Sequence, residues 1–554
     1  MNDKAEARVR DAFVALQLGQ FDRAERLLQA LLRKTPRHFD ALIALGALRG
    51  EQGRFDDAAA LFERAAKVRP DHADAHYNLG VALAHLGKTE RALDCYRSAL
   101  RAEPRHLNAC NNLAASLLAL NRPGEALACV QDGLAHHPGN AQLLNQRGAA
   151  LKDTGRIDEA IDTFRRVAQL QPNDPFSHGN LGLALRKADR HDEATRSFER
   201  AVSLDPRLAN HHNHLGLSLA DLGRLDDALA SLRRAVALEP QSAEWRENLG
   251  LTLLSIGELA EGWPQYEYRH HLERHRSRRP AIDAPVWQGE PLAAKSILVY
   301  SEQGFGDTIQ FVRYLPLLAA NGAAVTLMVQ PELISLLSDL SGSVAIVPTG
   351  EVLSGFDFQC ALLSLPYGFG TTLSSIPADV PYLSASETLV GRWRQRIGDE
   401  GFKIGIAWQG NPSFVADRGR SIPLHEFAPL AAIPGVRLIA LQKGFGAEQV
   451  AAVDFGARIE VLDEPRTFVD TAAVMMNLDL IVTSDTSVAH LAGALARRLF
   501  VALRHVPDWR WLLKRDDSPW YPTARLFRQR TMGDWSDVFA RIATKVRAKA
   551  EGYP

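Results

Sequence analysis

The sequence contains little cysteine and almost no net charge. Its four cysteines stand far apart, without a C-x-x-C pair or a neighbouring histidine, which argues against a disulfide framework and against a structural zinc site. The 64 basic side chains nearly cancel the 65 acidic ones, so a net charge of −1 gives no electrostatic footprint for nucleic acid or for an anionic membrane. We therefore expect no nucleic-acid partner.

Long apolar segments are also missing. No uncharged apolar run reaches the roughly 18 residues that a membrane helix needs. The charged N-terminal stretch MNDKAEARVRDAF lacks the apolar core of a signal peptide. These absences predict a cytoplasmic protein without a membrane span. At about 150 residues per domain, the 554 residues leave room for three to four domain equivalents.

A proline returns every 34 residues through the first half of the chain. Its positions are Pro36, Pro70, Pro104, Pro138, Pro172, Pro206 and Pro240. Alanines and glycines keep the same register, so two helices can pack closely in each period while proline prevents continuation into the next helix. The pattern resembles the tetratricopeptide repeat, which it matches at Leu79, Gly80, Ala92, Tyr96 and Pro104. Seven repeats and a degenerate eighth predict an α-solenoid over residues 1–270.

The sixth residue of each repeat lies on a first helix, and first helices line the concave face of such an array. From the second repeat onward these residues are Ala44, Asn78, Asn112, Gln146, Asn180, His214 and Asn248. An amide side chain can bond the backbone of an extended peptide as another strand would. The row looks like the asparagine ladder of O-linked N-acetylglucosamine transferases, which implies a protein-acceptor groove. Alternatively, these amides only bond a neighbouring helix.

Periodicity ends near Ala260, and we expect Trp263, Tyr266 and Tyr268 to cover the last helix pair. Residues 271–294 are basic and broken by proline, which predicts a linker.

From Lys295 onward, short β-branched runs alternate with helical stretches. The predicted strands are residues 296–301, 324–329, 344–347, 358–363, 403–408, 436–441, 458–462, 479–484 and 499–503. Continuous apolar strands between helices are typical of parallel sheets that are buried on both faces. We predict two Rossmann-like domains, residues 295–395 on the acceptor side and 396–554 on the donor side, with ligands at the carboxyl ends of strands.

Two polar motifs follow predicted strands. The first is Gly304-Phe305-Gly306-Asp307, whose glycines allow close approach of a ligand at a helix start. Its alternative interpretation is an ordinary helix-capping aspartate. The second motif begins Asp485-Thr486-Ser487 and contains His490, a set that offers donors to a diphosphate. Its alternative interpretation is a capping run with His490 packed inside.

Weaker signals follow two further strands. Gln409 is followed by Arg418 and Arg420, which could reach a phosphate, and Lys443 could add another cation. Surface loops are the alternative for these residues. The aromatic segment 507–521 is expected to pack a domain edge, although Trp509 or Trp520 could stack on a sugar ring.

The paired motifs G-x-G-D and D-T-S-x-x-H-L-A-x-A resemble those of heptosyltransferases, glycosyltransferases of the GT-B fold, over residues 295 to about 545. The resemblance implies that Asp307 is the base that activates the acceptor hydroxyl. It also implies that Asp485, Thr486, Ser487 and His490 bind the donor. Departures are the repeat array, Ser487 in place of a glycine, and the absence of a recognisable lysine-containing donor loop.

Repeats followed by a GT-B module resemble bacterial protein glycosyltransferases, including those that modify flagellin. We therefore predict an enzyme that transfers a sugar from a nucleotide donor to Ser or Thr hydroxyls of a captured polypeptide. Inversion follows from the resemblance, and neither a cofactor nor an obligatory metal is expected. The predicted donor-binding set is Gly304, Gly306, Gln409, Arg420, Lys443, Asp485, Thr486, Ser487 and His490. The alternatives are an enzyme of the same fold acting on a glycan or lipid-linked acceptor, and a non-catalytic scaffold.

Overall fold

A computed structural model describes residues 2–276, 279–413, 417, 419–462 and 467–550. The chain divides into two compact units, Met1–Arg207 and Leu208–Pro554, which are described separately below. The predicted domain boundaries at residues 271, 295 and 396 stay predictions.

Each period of 34 residues folds as a helical hairpin, which confirms the prediction from the repeats. The helices are α1 (Asn2–Gln17), α2 (Phe21–Lys34), α3 (Phe39–Glu51), α4 (Phe55–Val68), α5 (Ala73–His85), α6 (Thr89–Ala102), α7 (Leu107–Ala119), α8 (Pro123–His136), α9 (Ala141–Asp153), α10 (Ile157–Leu170), α11 (Pro175–Lys187), α12 (His191–Leu204), α13 (Ala209–Asp221), α14 (Leu225–Leu238), α15 (Ala243–Ile256) and α16 (Leu259–Tyr266). Helices α1–α12 belong to the first unit and α13–α16 to the second.

In four of the repeats, an aromatic ring of the second helix lies against the glycine of the first helix. A Cβ atom on Gly80 would lie 2.6 Å from the Cε1 atom of Tyr96, far inside van der Waals contact. The same approach joins Gly148 to the Phe164 ring. The repeated alanine, such as Ala92, is fully buried between the helices. The 34-residue pattern is therefore a packing requirement.

The last hairpin continues into a tight turn before the sheets begin. Pro264 lies inside α16, and Trp263 and Tyr266 are buried. A 3-10 turn, Glu267–His271, then leads to the short helix α17 (Glu273–Arg276).

Among the described residues, the strands form two parallel sheets. The first has the order β3-β2-β1-β4 and the second the order β10-β9-β8-β5-β6-β7. The strands are β1 (Ser296–Tyr300), β2 (Ala324–Val329), β3 (Val344–Pro348), β4 (Phe358–Ala361), β5 (Phe402–Ala407), β6 (Val436–Ala440), β7 (Ile459–Glu460), β8 (Leu480–Ser484), β9 (Leu499–Leu503) and β10 (Ala524–Arg528). Strands β1–β9 are the ones that the sequence predicts. Strand β10 is not predicted, because arginines interrupt its apolar run at the edge of the sheet.

Helices flank both sheets. They are α18 (Phe305–Phe311), α19 (Leu315–Ala320), α20 (Pro331–Ile334), α21 (Leu365–Gly368), α22 (Glu387–Ile397), α23 (Ala428–Ala431), α24 (Phe468–Met476), α25 (Ser487–Ala494) and α26 (Trp535–Ala550). One core of buried residues runs from Trp263 in the last hairpin through Ile297 of the first sheet to Ile481 of the second. The carboxyl ends of β1, β8 and β9 therefore lie on a continuous support.

We predict that Gly80→Ala destabilises the protein by about 1–3 kcal/mol, because the Tyr96 ring must move to admit a methyl group. The matched control is Gly50→Ala in α3, where a Cβ atom meets nothing within 4 Å. That control should raise the free energy of unfolding by about 0.5–1 kcal/mol, because alanine loses less conformational entropy than glycine when it is ordered in a helix. Urea unfolding followed by circular dichroism measures both. Equal effects of the two substitutions would contradict the packing account.

Candidate functional site

The first motif leaves strand β1 and opens helix α18. The Oδ2 atom of Asp307 accepts a hydrogen bond of 2.8 Å from the Gly304 amide, so the carboxylate caps its own helix. The Oδ1 atom of Asp307 accepts a second hydrogen bond from the Arg510 guanidinium. Burial raises the pKa of Asp307, and Arg510 opposes part of that rise. The capping interpretation therefore holds, but it does not account for the ion pair with the buried Arg510.

The second motif leaves strand β8 and opens helix α25. Asp485 is buried, whereas Thr486 and Ser487 are partly exposed at the helix start, where free backbone amides favour an anion. The Oγ1 atom of Thr486 lies 3.3 Å from that of Thr483. Burial, with a smaller contribution from Asp508, raises the pKa of Asp485 to about 6. Asp485 is thus easier to protonate than an ordinary aspartate.

His490 is packed inside, as the alternative interpretation of the second motif predicts. Its ring stacks on Trp511 with 5.4 Å between centroids, and its Nδ1 atom lies 2.9 Å from the Tyr521 hydroxyl. Burial, reinforced by the charge of Arg510, lowers the pKa of His490 to about 3. The ring is therefore neutral at pH 7, and it can hydrogen-bond a ligand but adds no charge. Its donor-binding role stays a prediction.

The two motifs meet at Gly306. A Cβ atom there would lie 2.8 Å from His490 Cδ2 and 3.4 Å from the Cα atom of Ser487. Glycine at this position therefore lets the starts of α18 and α25 approach each other. The sequence predicts that both motifs follow strands, and the fold brings them into direct contact.

Arg510 is the main site residue that sequence reasoning missed. It lies in the 3-10 turn Trp509–Trp511 after β9 and is 6% exposed. Besides Asp307, it bonds Asp508 Oδ1 at 2.8 Å, and its guanidinium lies 4.4 Å from the centre of the Trp509 ring. The available signal was an arginine between two tryptophans, but the surrounding segment is typical of apolar packing.

The other predicted donor-binding residues occupy different environments. Arg420 lines a cavity of about 40 Å³ together with Asp485 and Arg504, at the carboxyl ends of β8 and β9. The Oε1 atom of Gln409 accepts a hydrogen bond of 2.7 Å from Gln449, so this amide is held inside its own domain. Lys443 is exposed in the loop after β6. Arg418 lies outside the described residues.

The aromatic segment packs the interior, as expected. Trp509, Trp511 and Trp520 are all at most 5% exposed, which leaves no open face for a sugar ring in this arrangement. Trp509 meets Trp263 of the last hairpin edge-on, with 5.3 Å between ring centroids. The tryptophans thus join the hairpin to the site.

The last hairpin also contacts the loop that precedes Asp307. Arg269 is fully buried and bonds Glu302 at 2.7 Å. The Tyr266 hydroxyl accepts a hydrogen bond of 2.9 Å from Gln303. The predicted cap of the helix pair is therefore also a support of the first motif. The Arg246 guanidinium lies over the Tyr268 ring, 4.3 Å from the centre of that ring.

The amide row bonds neighbouring helices, as its alternative interpretation predicts. Each contact reaches the first helix of the preceding repeat. The donors and acceptors are Asn112 to the Tyr77 hydroxyl at 3.4 Å, Gln146 to the Asn111 carbonyl at 2.9 Å, Asn180 to Asn145 Oδ1 at 3.2 Å, and Asn248 to Asn213 Oδ1 at 2.9 Å. These contacts use part of each amide's hydrogen-bonding capacity, and the side chains stay partly exposed.

The remaining residues of the row are Asn78 and His214, both partly exposed, and the buried Ala44. A groove of about 310 Å³ lies on the face that carries the row. It is lined by Val81, Ala84, His85, Tyr96, Asn112, Ala115 and Ser116. The groove is open to solvent on one side, so an extended polypeptide lying in it would contact Asn112.

In the described part of the chain, no three His, Cys, Asp or Glu side chains are grouped as a metal site requires. No helix in that part has both the length and the apolar character to cross a membrane.

Comparison with known proteins identifies the repeats. A family model described as tetratricopeptide repeat matches residues 12–49, 44–106, 111–175, 180–243 and 214–269. The first half of the chain is therefore an array of tetratricopeptide repeats.

Protein FlbA of Caulobacter vibrioides (strain ATCC 19089 / CIP 103742 / CB 15) is 27% identical over 316 residues, which are 52% of this chain and 52% of FlbA. The chain thus spans about half the length of this curated relative. Among solved structures, a tetratricopeptide repeat protein of Parabacteroides merdae is 19% identical, with a TM-score of 0.37, over 45% of this chain and 99% of its own. PilF of Pseudomonas aeruginosa is 21% identical, with a TM-score of 0.33, over 38% of this chain and 95% of its own.

We predict that His490 makes stability fall as the pH falls. In the unfolded chain its ring takes up a proton below about pH 6.5, whereas in the folded chain it stays neutral down to about pH 3. The unfolded state therefore binds the extra proton in this window. The stability advantage of the wild type over His490→Phe should shrink by up to about 1.4 kcal/mol per pH unit.

Urea unfolding of both proteins between about pH 7 and pH 5 measures this difference, and titrating groups far from His490 cancel in it. Asp485 lies 3.9 Å from the His490 ring, so the comparison is repeated in an Asp485→Asn background. A pH-independent difference would show that His490 is not buried as a neutral ring.

Proposed function

We propose that the chain is a glycosyltransferase that moves a sugar from a nucleotide-activated donor to Ser or Thr hydroxyls of a polypeptide captured by the repeats. The observation that carries the proposal is the contact of the two motifs at Gly306, because it puts a candidate base beside a candidate diphosphate site. The resemblance of the motifs to those of heptosyltransferases supports the same assignment.

In the proposed reaction, Asp307 takes the proton of the acceptor hydroxyl. The hydroxyl oxygen then forms a bond to the anomeric carbon of the sugar, and the bond from that carbon to the phosphate oxygen breaks. The nucleoside diphosphate leaves with the electron pair. A base at the hydroxyl and positive groups at the phosphate are sufficient for this chemistry. A single displacement inverts the anomeric centre.

The donor diphosphate is proposed to bind at the start of α25. Thr486 and Ser487 are partly exposed there and can offer hydroxyl and backbone donors. Arg420 lies at the same strand ends and can offset the phosphate charge. Gly304 and Gly306 leave room for the donor. Gln409 and Lys443 are retained as proposed donor contacts that lie outside the two motifs.

The acceptor is proposed to lie along the first helices of the repeats. The half-exposed amides support this, because one donated N–H leaves a second N–H and the oxygen for a peptide backbone. Flagellin is an acceptor that the layout of the chain suggests.

One observation favours a second candidate. The amides already bond neighbouring helices, so the row has a structural reason to exist without a bound peptide. A transferase that acts on a glycan or lipid-linked acceptor, with repeats that serve assembly, accommodates this. A non-catalytic scaffold explains the row equally but gives no role to the ion pair of Asp307 with Arg510.

Purified protein incubated with a panel of nucleotide sugars and co-expressed candidate proteins tests the proposal. Mass spectrometry of the products should show a protein that gains the mass of one sugar. A modified glycan with unmodified proteins would favour the second candidate. The absence of any product with all donors would favour the scaffold.

We predict that Asp307→Asn slows transfer by a factor on the order of 10²–10⁴, the usual contribution of general acid–base catalysis. The substitution is nearly isosteric, and the amide oxygen can still accept from the Gly304 backbone. Donor affinity, measured by calorimetry, should therefore stay close to that of the wild type. Near-normal turnover would remove Asp307 as the base.

We predict that Asn112→Ala with Asn180→Ala weakens acceptor binding by roughly ten-fold or more, since each lost hydrogen bond nets about 0.5–1.5 kcal/mol. Slow hydrolysis of the donor by water should continue at its normal rate.

The matched control is Gln131→Ala with Gln169→Ala, which removes two exposed amides from second helices of the same unit. Unfolding measurements on both pairs separate the loss of inter-helix bonds from the loss of acceptor contacts. If neither pair changes acceptor binding, the acceptor does not lie along the row.

A further inference from the structure

A single buried arginine connects the two halves of the site. Arg510 bonds Asp307 of the first motif through one terminal nitrogen and Asp508 of its own segment through the other. Its charge also acts on Asp485 and His490 of the second motif. Arg510 therefore acts on titratable groups of both motifs.

The surroundings of Asp307 are otherwise acidic or neutral. Glu302 approaches Asp307 from the loop after β1, and Asp508 approaches it from the segment after β9. Asp508 also acts on Asp485 at the end of β8. His490 is neutral, and Tyr266 of the last hairpin faces Arg510. The more distant cations Arg313 and Arg420 act on the second motif, and Arg269 is bonded to Glu302. Loss of the Arg510 charge would leave Asp307 among carboxylates.

The position of Arg510 is set from both sides. Its guanidinium lies 4.4 Å from the centre of the Trp509 ring and 5.8 Å from that of Phe311. Behind Trp509, the last hairpin supplies Trp263 and Tyr266. A guanidinium held between rings, with a forked contact to two carboxylates, has little freedom to move.

We propose that Arg510 is a positioning residue, which holds the Asp307 carboxylate ionised and oriented at the start of α18 so that it can receive the proton of the acceptor hydroxyl. Each carboxylate oxygen keeps a second acceptor position, since Oδ1 uses one for Arg510 and Oδ2 one for the Gly304 amide. The inference rests on the proposed function, in which Asp307 is the base.

The sign of the expected pH effect follows from the charges. The reaction needs ionised Asp307, so the rate falls on the acidic side as the carboxylate takes up a proton. Removing a neighbouring positive charge favours the protonated form. In Arg510→Gln the acidic limb of the rate profile should therefore move about one pH unit or more to higher pH.

The test compares transfer rates at saturating donor across the pH range for the wild type, Arg510→Gln and Arg510→Lys. The lysine variant keeps the positive charge but cannot bond two carboxylates at once with a planar group. The acidic side of its pH–rate profile should therefore stay near that of the wild type, while its maximal rate falls. The matched control is Arg515→Gln, which removes a partly exposed arginine paired with the exposed Asp517 in the same segment. Repeating the comparison with Asp485→Asn separates the titration of Asp485 from that of Asp307.

A rate that falls equally at every pH in Arg510→Gln would overturn the proposal, because it would assign Arg510 a purely structural role. An equal shift of the acidic side of the pH–rate profile in Arg515→Gln would also overturn the proposal.

A second arm needs no catalysis and therefore separates this inference from the proposed function. Arg510→Gln should lower the melting temperature, because it takes the guanidinium partner away from the partly buried carboxylates of Asp307 and Asp508. Adding Asp307→Asn should recover a substantial part of that loss, since the double variant lacks one of the unpaired charges. Additive losses would overturn the pairing even if no donor is ever turned over. Recovery without any turnover would leave the pairing supported and the proposed function rejected.

Discussion

Buried guanidinium groups determine how the site is assembled. Taking a charge out of water costs several kcal/mol unless hydrogen bonds replace the lost hydration, so each buried arginine fixes its partners. Arg313 donates to the carbonyl of Trp520 at 2.6 Å and to the Tyr382 hydroxyl at 2.9 Å, which ties α18 and its following turn to the segment after β9. Arg269 and Arg510 extend the same principle to the last hairpin and to Asp307.

The repeats obey a different rule. Their helices are held by small residues that allow close approach, and in four periods the glycine packs against an aromatic ring of the second helix. The amide row adds a polar version of this regularity, with contacts such as that of Asn180 with Asn145. A row that is already bonded on one side is held in a fixed conformation, so a ligand would not have to order it.

The predictions from sequence succeeded where the signal is local and failed where it is not. The 34-residue period and the apolar strands β1–β9 are each indicated by residues close together in the sequence, and both motifs follow their strands directly. The Asp307–Arg510 pair joins residues 203 positions apart, and no local pattern records it. The burial of His490 by Trp511 and Tyr521 is likewise a product of tertiary packing, which its polar sequence neighbours do not indicate. Strand β10 was not predicted because it lies at the edge of its sheet, where arginines are tolerated and interrupt the apolar run.

The contacts of the last hairpin have a consequence for how the array can change in length. A helical hairpin can be duplicated or deleted when its two faces meet only other hairpins. Trp263 and Tyr266 instead meet Trp509 and the loop before Asp307, so α15 and α16 are no longer interchangeable with the hairpins before them. A change in the number of repeats therefore leaves these contacts intact only where it falls upstream of α15, because the hairpin next to the sheets packs against them as a single unit.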